Sequence, residues 1–210
     1  MNIPRLLLIA LVVAPCAVPA KAGSLTVNLV DQSGRAVRDA VVIVRPVGHA
    51  APLPRKAGGM TVEQRGLQFH PLLSVVPVGT SVSFPNFDKT RHHVYSFSPA
   101  KKFELKLFAS EQSRSVTFDK PGVVAVGCNI HDQMSAFIYV TDSAWTARSN
   151  GRGQVTIADL PAERVTVTVF HPYLRAPGSL VGKPLALGNG SATTSFALKL
   201  RAPVAMGHGY

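Results

Sequence analysis

Short segments in which apolar and polar residues alternate make up most of this chain. Residues 24–30 (SLTVNLV) are one example, and residues 39–46 (DAVVIVRP) form another that ends at Pro46. A period of two is typical of a β-strand with one buried face, whereas a helix repeats its apolar residues every three or four positions. Helical periodicity is nearly absent, and Gly, Pro, Asn or Asp ends each segment. The pattern therefore predicts an all-β sandwich fold.

The predicted strands fall into a middle block and two flanking parts. Residues 47–59 (VGHAAPLPRKAGG) are rich in Pro, Gly and Ala and predict a loop or linker before the middle block. Strands are predicted again near the end of the chain, at 153–158, 164–170 and 193–200. The middle block contains eight candidate strand segments: 60–66, 72–79, 80–88, 92–98, 103–108, 114–122, 123–128 and 136–142.

The first 22 residues match a secretory signal peptide. Arg5 precedes the apolar run LLLIALVVAPCAVPA, and alanines at 20 and 22 form an Ala-x-Ala end. The run is too short and too interrupted by proline for a membrane anchor, and no later stretch is long enough to span a bilayer. We therefore expect cleavage after Ala22, a periplasmic location and no integral membrane segment in the mature chain.

Cleavage changes the cysteine count and the charge. It removes Cys16 and leaves Cys128 as a lone thiol, which is a liability in an oxidising compartment unless something binds it. It also removes Arg5 and Lys21, which lowers the net charge from +11 to +9. Export and the lack of a basic helix studded with aromatics argue against nucleic acid. An acidic protein partner or an anionic envelope surface is the economical interpretation, although a generally basic exported protein fits the charge equally well.

Cys128, His131 and Met134 interrupt the apolar segment VGCNIHDQMSAFIYV at even three-residue steps. They offer a thiolate, an imidazole and a thioether. A blue-copper site needs two histidines and one cysteine in a plane, with a weak axial methionine. The upstream stretch FPNFDKTRHHVYSF offers the second histidine as His92 or His93. Strand alternation sends these two side chains to opposite faces, so only one of them can point at the metal. Tyr95 and Phe97 share the face of His93, which favours His93 pointing inward.

The middle block resembles the cupredoxins, and within them the amicyanin and plastocyanin group. The spacing C-x2-H-x2-M matches the short ligand loop of amicyanin, and V-x-F-x-N-x-D (82–88) followed by H-x-V (92–94) matches the strand that carries the first histidine. The resemblance implies a Greek-key β-sandwich with one type 1 copper per chain. Alignment on Val94 makes His92 the upstream ligand. The implied copper ligands are His92, Cys128, His131 and Met134.

The flanking parts resemble two halves of one carboxypeptidase-regulatory-like, transthyretin-like sandwich. Its D-x-x-G-x-x-V-x-x-A and G-x-x-x-I-x-x-L-P motifs match residues 31–40 and 153–161. The predicted organisation is a discontinuous outer domain, 23–59 with 142–200, around a cupredoxin domain, 60–141, and a flexible tail, 201–210. A single larger sandwich is the alternative. The whole chain also resembles exported methylamine-utilisation proteins, a label that says little about chemistry.

Electron transfer between periplasmic redox partners is the function that the cupredoxin resemblance implies, with His131 as the electron exit. Five basic residues are expected to steer an acidic partner toward the site. An envelope copper carrier or a docking module is the alternative, although four methionines are few for a carrier. No further histidine cluster accompanies the motif, so we expect no enzymatic activity. The steering residues are Lys89, Arg91, Lys101, Lys102 and Lys106.

Overall fold

A computed structural model describes residues 23–131 and 133–202 and confirms the all-β class. The predicted signal peptide, its cleavage site and residues 203–210 of the predicted tail lie outside the described residues. Within the described residues, no helix is long and apolar enough to cross a membrane. A short 3₁₀ helix spans Pro177–Ser179. The strands are β1 (Gly23–Asp31), β2 (Val41–Pro46), β3 (Met60–Thr61), β4 (Glu63–Gln64), β5 (Phe69–His70), β6 (Leu73–Pro77), β7 (Thr80–Pro85), β8 (His92–Ser98), β9 (Lys101–Phe108), β10 (Ser113–Phe118), β11 (Gly122–Gly127), β12 (Ser135–Thr141), β13 (Thr146–Arg148), β14 (Gln154–Leu160), β15 (Arg164–Phe170), β16 (Leu180–Ala186) and β17 (Ser191–Leu198).

Strands from the two ends of the chain enclose the first hydrophobic core. One sheet has the order β14-β1-β17 and the other β13-β2-β15-β16. Side chains of β1 alternate between buried and half-buried, so Leu25, Val27 and Leu29 all enter this core. Facing residues on β15, such as Val167, complete it. The period of two along β1 thus builds the buried face that the sequence predicted.

The middle of the chain encloses a second core. A sheet of order β10-β7-β3 packs against a sheet of order β6-β12-β11-β8-β9. Phe84 on β7 and Phe118 on β10 are fully buried between them, together with Val124 and Ile138 of the larger sheet. This second core also contains Cys128 and Met134, so it supports the candidate site directly.

A third, smaller cluster joins the two sets of sheets. Strand β2 is buried on both faces, because Val42 and Val44 enter the first core while Val41 and Ile43 face the other way. There they pack with Phe170 against Leu73 and Tyr139 of the five-stranded sheet. The domain boundaries at 59/60 and 141/142, which were predicted from the sequence, stay a prediction.

The five-stranded sheet brings the motif that begins at His92 and the motif that begins at Cys128 to the same end. Strand β8 begins at His92, and β11 ends immediately before Cys128. The two strands are antiparallel neighbours, with Gly127 paired to Tyr95. The start of one therefore lies beside the end of the other. Residues 128–134 connect β11 to β12 at this same end.

Candidate metal centre

His92, Cys128 and His131 form a compact group of possible metal donors. One donor atom from each lies within 4.8 Å of the others. The Cys128 Sγ atom is 4.0 Å from His92 Nδ1 and 3.7 Å from His131 Nδ1. The two imidazole rings are 5.0 Å apart between centroids, at an interplanar angle of 65°. Residues that lie 36 positions apart in the sequence are thus brought together by the sheet.

The spacing of these atoms fits a metal ion bound between them. Ligand bonds of about 2.0–2.1 Å to nitrogen and about 2.3 Å to sulfur, spread in a trigonal plane, separate the sulfur from each nitrogen by roughly 3.8 Å. The two measured separations, 4.0 and 3.7 Å, lie close to that value. Two imidazoles with one thiolate are a donor set that suits copper.

Backbone hydrogen bonds link Cys128, His131 and Met134 to one another. The Cys128 amide donates to the Met134 carbonyl at 3.1 Å, and the Met134 amide donates to the His131 carbonyl at 2.9 Å. Met134 is 1 % exposed and belongs to the same core cluster as Cys128. The three-residue spacing of the motif therefore corresponds to a tight turn that carries all three side chains.

His92 is held from its other side by a carboxylate. Its Nε2 atom lies 2.8 Å from Asp88 Oδ2, so Nδ1 is the nitrogen directed toward Cys128. Burial would raise the pKa of the Asp88 carboxyl, but hydrogen bonds from His92, Leu67 and Gly66 outweigh burial and hold that pKa below its ordinary value. The carboxylate is therefore ionised at neutral pH.

His93 points away from the group. Its Nε2 atom lies 2.8 Å from Glu104 Oε1, and its ring contacts Tyr95. Together with Phe97 and Asn129, these residues line a groove of about 290 Å³ on the other face of the sheet. The expected shared face of His93, Tyr95 and Phe97 is therefore present, but it is not the face that carries Cys128. Strand alternation predicts that the two histidines lie on opposite faces of the sheet. Only the packing of the folded sheet shows which of these faces meets the loop that carries Cys128.

The group is shielded from solvent on most sides. His92 is fully buried, Cys128 is 4 % exposed, and only His131 is half-buried. Two apolar side chains of the same end of the molecule are exposed: Ile130 in the loop and Phe87 beside Asp88. His131 is therefore the member of the group that lies nearest to solvent.

Two of the five basic residues expected beside the site lie elsewhere. In the antiparallel pair of β8 and β9, His92 is opposite Phe108, whereas Lys101 and Lys102 are opposite Ser98 and Phe97. Lys101 also forms an ion pair with Asp119. The expectation that Lys101 and Lys102 flank the site is wrong, because β8 separates its two ends by roughly 20 Å at about 3.3 Å per residue. Lys89 and Arg91, both exposed, remain next to the site in the chain.

No role for Asp88 was predicted from the sequence beyond its place in the motif at 82–88. The carboxylate that holds His92 lies four residues before it, and the two are joined by a loop. Loop residues have no fixed periodicity, so the pattern of the sequence cannot place this contact. The available signal was the spacing D-x3-H, since ligating histidines commonly donate to a carboxylate.

Comparisons with known proteins give structural neighbours alone. The sequence matches no protein-family model and no curated protein. The copper-containing nitrite reductase NirK from Thermus scotoductus SA-01 is 28% identical with a TM-score of 0.39, covering 46% of this chain and 25% of its own. This chain thus matches only a quarter of that enzyme's length.

Two smaller proteins are matched over nearly their whole length. A purple cupredoxin from Nitrosopumilus maritimus is 20% identical with a TM-score of 0.36, covering 39% of this chain and 99% of its own. A reduced variant of amicyanin is 20% identical with a TM-score of 0.38, covering 48% and 98%. At these TM-scores the similarity assigns neither family nor function.

Proposed function

We propose that this chain is an exported type 1 copper protein of cupredoxin type that carries single electrons between periplasmic redox partners. The observation that carries the proposal is the convergence of the Cys128, His92 and His131 donor atoms at one end of the five-stranded sheet. Under the proposal these three residues would hold one copper ion, with Met134 as the fourth, weaker ligand that the cupredoxin resemblance implies. The division into a cupredoxin domain and an outer sandwich belongs to the same proposal.

Each residue of the centre has a distinct task. Bound copper supplies a one-electron couple. Cys128 and His92, both buried, exclude water from the donor set, and the backbone hydrogen bonds that join Cys128, His131 and Met134 keep the donor positions fixed. A site whose ligands move little between oxidation states exchanges electrons with little reorganisation. His131, half-buried beside exposed Ile130, provides the contact with a partner surface, and Lys89 and Arg91 favour an acidic one.

Burial favours electron transfer over the carrier alternative. A carrier must release its ion to another protein, and His92 is fully buried behind Asp88. An electron crosses a protein shell without ligand exchange, whereas an ion does not. The proposal assigns no catalytic activity to this chain.

A visible absorption spectrum tests the proposal. We expect residues 23–210 to develop an intense thiolate-to-copper band when Cu(II) is added, and Cys128→Ser to lack it. Reduction with ascorbate should bleach the band and reoxidation should restore it. A weak band of equal intensity in both proteins would show that Cys128 is not a copper ligand. It would also contradict the proposed electron-transfer function.

A further inference from the structure

Two adjacent histidines each meet one carboxylate, on opposite faces of β8. His92 meets Asp88 and His93 meets Glu104, both at 2.8 Å. Only the first of these histidines faces Cys128. We infer that Asp88 is the positioning residue of the metal centre: its carboxylate fixes the ring orientation and tautomer of His92 and favours the more positive oxidation state of the bound ion. This inference rests on the proposed function.

The tautomer follows from the hydrogen bond. Both oxygens of the Asp88 carboxylate accept hydrogen bonds from backbone amides, so the carboxylate is also the acceptor in its contact with His92, and the proton of that contact lies on His92 Nε2. A neutral imidazole protonated at Nε2 carries its lone pair on Nδ1, which is the atom 4.0 Å from Cys128 Sγ. Asp88 therefore presents the correct nitrogen to a metal before any metal arrives.

Asp88 is itself fixed by the loop around it. Its carboxylate accepts hydrogen bonds from the amides of Gly66 at 2.6 Å and Leu67 at 3.0 Å. Its own amide donates to Asn86 Oδ1 at 2.9 Å. Asn86 is fully buried and donates in turn to the carbonyl of Thr90 at 2.9 Å. A carboxylate held at so many points cannot turn away from His92 without breaking several hydrogen bonds.

The charge of Asp88 bears on the oxidation state. Its side chain is 13 % exposed, and the imidazole it contacts is fully buried, so water screens the carboxylate poorly. A negative charge stabilises Cu(II) more than Cu(I), because the oxidised ion is more positive. The exposed Lys89 and Arg91 beside it are hydrated, and they oppose this effect only weakly. Removal of the charge should therefore raise the reduction potential.

Three isosteric variants of the full mature chain, loaded with copper, form the test. We expect Asp88→Asn to lose about tenfold in affinity for Cu(II) relative to Cu(I), which raises a one-electron potential by about 59 mV. Asp119→Asn removes the same charge at the far end of the sheet, and Glu104→Gln removes it from the other imidazole. Both controls should change the affinity ratio less than twofold. An Asp88→Asn ratio that also stays within twofold would overturn the inference.

A second measurement covers the case in which Asp88 variants do not fold, as judged by circular dichroism of the metal-free proteins. It uses the metal-free wild-type chain and long-range proton–nitrogen NMR, because a metal bound to Nδ1 would by itself place the proton on Nε2. The Nε2 proton of His92 should appear downfield and exchange slowly with water. Rapid exchange, or a proton on Nδ1 instead, would overturn the inference. Absence of a thiolate band in copper-loaded wild type would contradict the proposed function alone, since the NMR experiment on the metal-free chain still decides whether Asp88 sets the tautomer of His92.

Discussion

His92 and His93 are adjacent in the chain but lie on opposite faces of the sheet, because a β-strand alternates its side chains. Both are buried, at 0 % and 6 % exposure, and both meet a carboxylate. Residue type, burial and hydrogen-bond partner therefore do not distinguish the histidine that faces Cys128 from its neighbour. What separates them is direction: His92 lies on the face where the loop after β11 closes over the sheet. A single-residue shift in register would exchange their places.

Substitution of each histidine in turn tests this assignment. We expect His92→Gln to lose the thiolate-to-copper band of the wild type, because the substitution removes an imidazole donor next to Cys128. His93→Gln should keep the band at the same wavelength, since Gln retains a polar group that can contact Glu104. Visible absorption with Cu(II) measures both. The opposite pattern, with the band lost only in His93→Gln, would make His93 the ligand.

Residue types and their spacing were enough to predict the candidate donors, but not the contacts that orient them. Cys128, His131 and Met134 could be proposed together because a short loop brings residues three apart into one place. The choice between His92 and His93 came from a family resemblance, since strand alternation allows either. The partner of His92, Asp88, depends on a loop conformation in which Gly66 and Leu67 donate to its carboxylate. No periodicity in the sequence encodes that contact.

At the scale of secondary-structure elements, the alternation of apolar and polar residues predicted the half-buried strands, but it did not predict one exposed strand. Strand β1 alternates between buried and half-buried positions, and β14 and β15 alternate between buried and more exposed positions over most of their length. Strand β16 was not predicted, because it is an edge strand with no fully buried residue and it contains Gly182 and Pro184. This strand pairs with β15 along its whole length. Because the pairing is a tertiary contact, the local sequence of β16 carries no pattern that predicts a strand.

The turn before β14 depends on one glycine. Gly153 has a φ of +68°, and a Cβ atom there would collide with the Leu29 carbonyl oxygen and lie 2.9 Å from the Val37 amide nitrogen. Both neighbours are backbone atoms and cannot turn aside. We therefore expect Gly153→Ala to lower the free energy of unfolding by about 2 kcal/mol or more, as measured by urea denaturation.

Gly151, two residues earlier, is the matched control for that substitution. It has no atom within 4 Å of an added Cβ and no positive φ. Gly151→Ala should leave the free energy of unfolding unchanged within about 0.5 kcal/mol. Equal losses in the two variants would show that the turn, rather than the close approach at Gly153, limits stability.

At the scale of the whole molecule, two large cores meet through one small cluster. The first core draws on both ends of the chain and the second on its middle. The pairing of the two ends was predicted from short motifs, but the cluster between the cores was not. Its members are ordinary apolar residues of strands, and nothing in their sequence distinguishes them from residues of either core. Strand β2 shows this best, since its run VVIV alternates between the first core and the small cluster.

Phe170 is the residue that tests the importance of this joining cluster. It is 1 % exposed, and its ring centroid is 5.5 Å from that of Tyr139 on the five-stranded sheet. We expect Phe170→Ala to lower the free energy of unfolding by about 3–5 kcal/mol, because it leaves a cavity between the two sets of sheets. Urea denaturation followed by the fluorescence of Trp145, which packs against the first core, measures the loss.

The same variant should leave the metal centre unchanged. Tyr139 is four residues along β12 from Ser135, which pairs with Gly127 beside the ligand loop, a distance of roughly 13 Å at about 3.3 Å per residue. The thiolate-to-copper band of Phe170→Ala should therefore keep its wild-type wavelength. Phe97→Ala makes the same truncation at a side chain that is 78 % exposed, and it should cost under about 0.5 kcal/mol. A shifted band in Phe170→Ala would mean that the packing of the outer sheets sets the geometry of the ligand loop, while a loss no larger than that of Phe97→Ala would mean that the two cores stand independently.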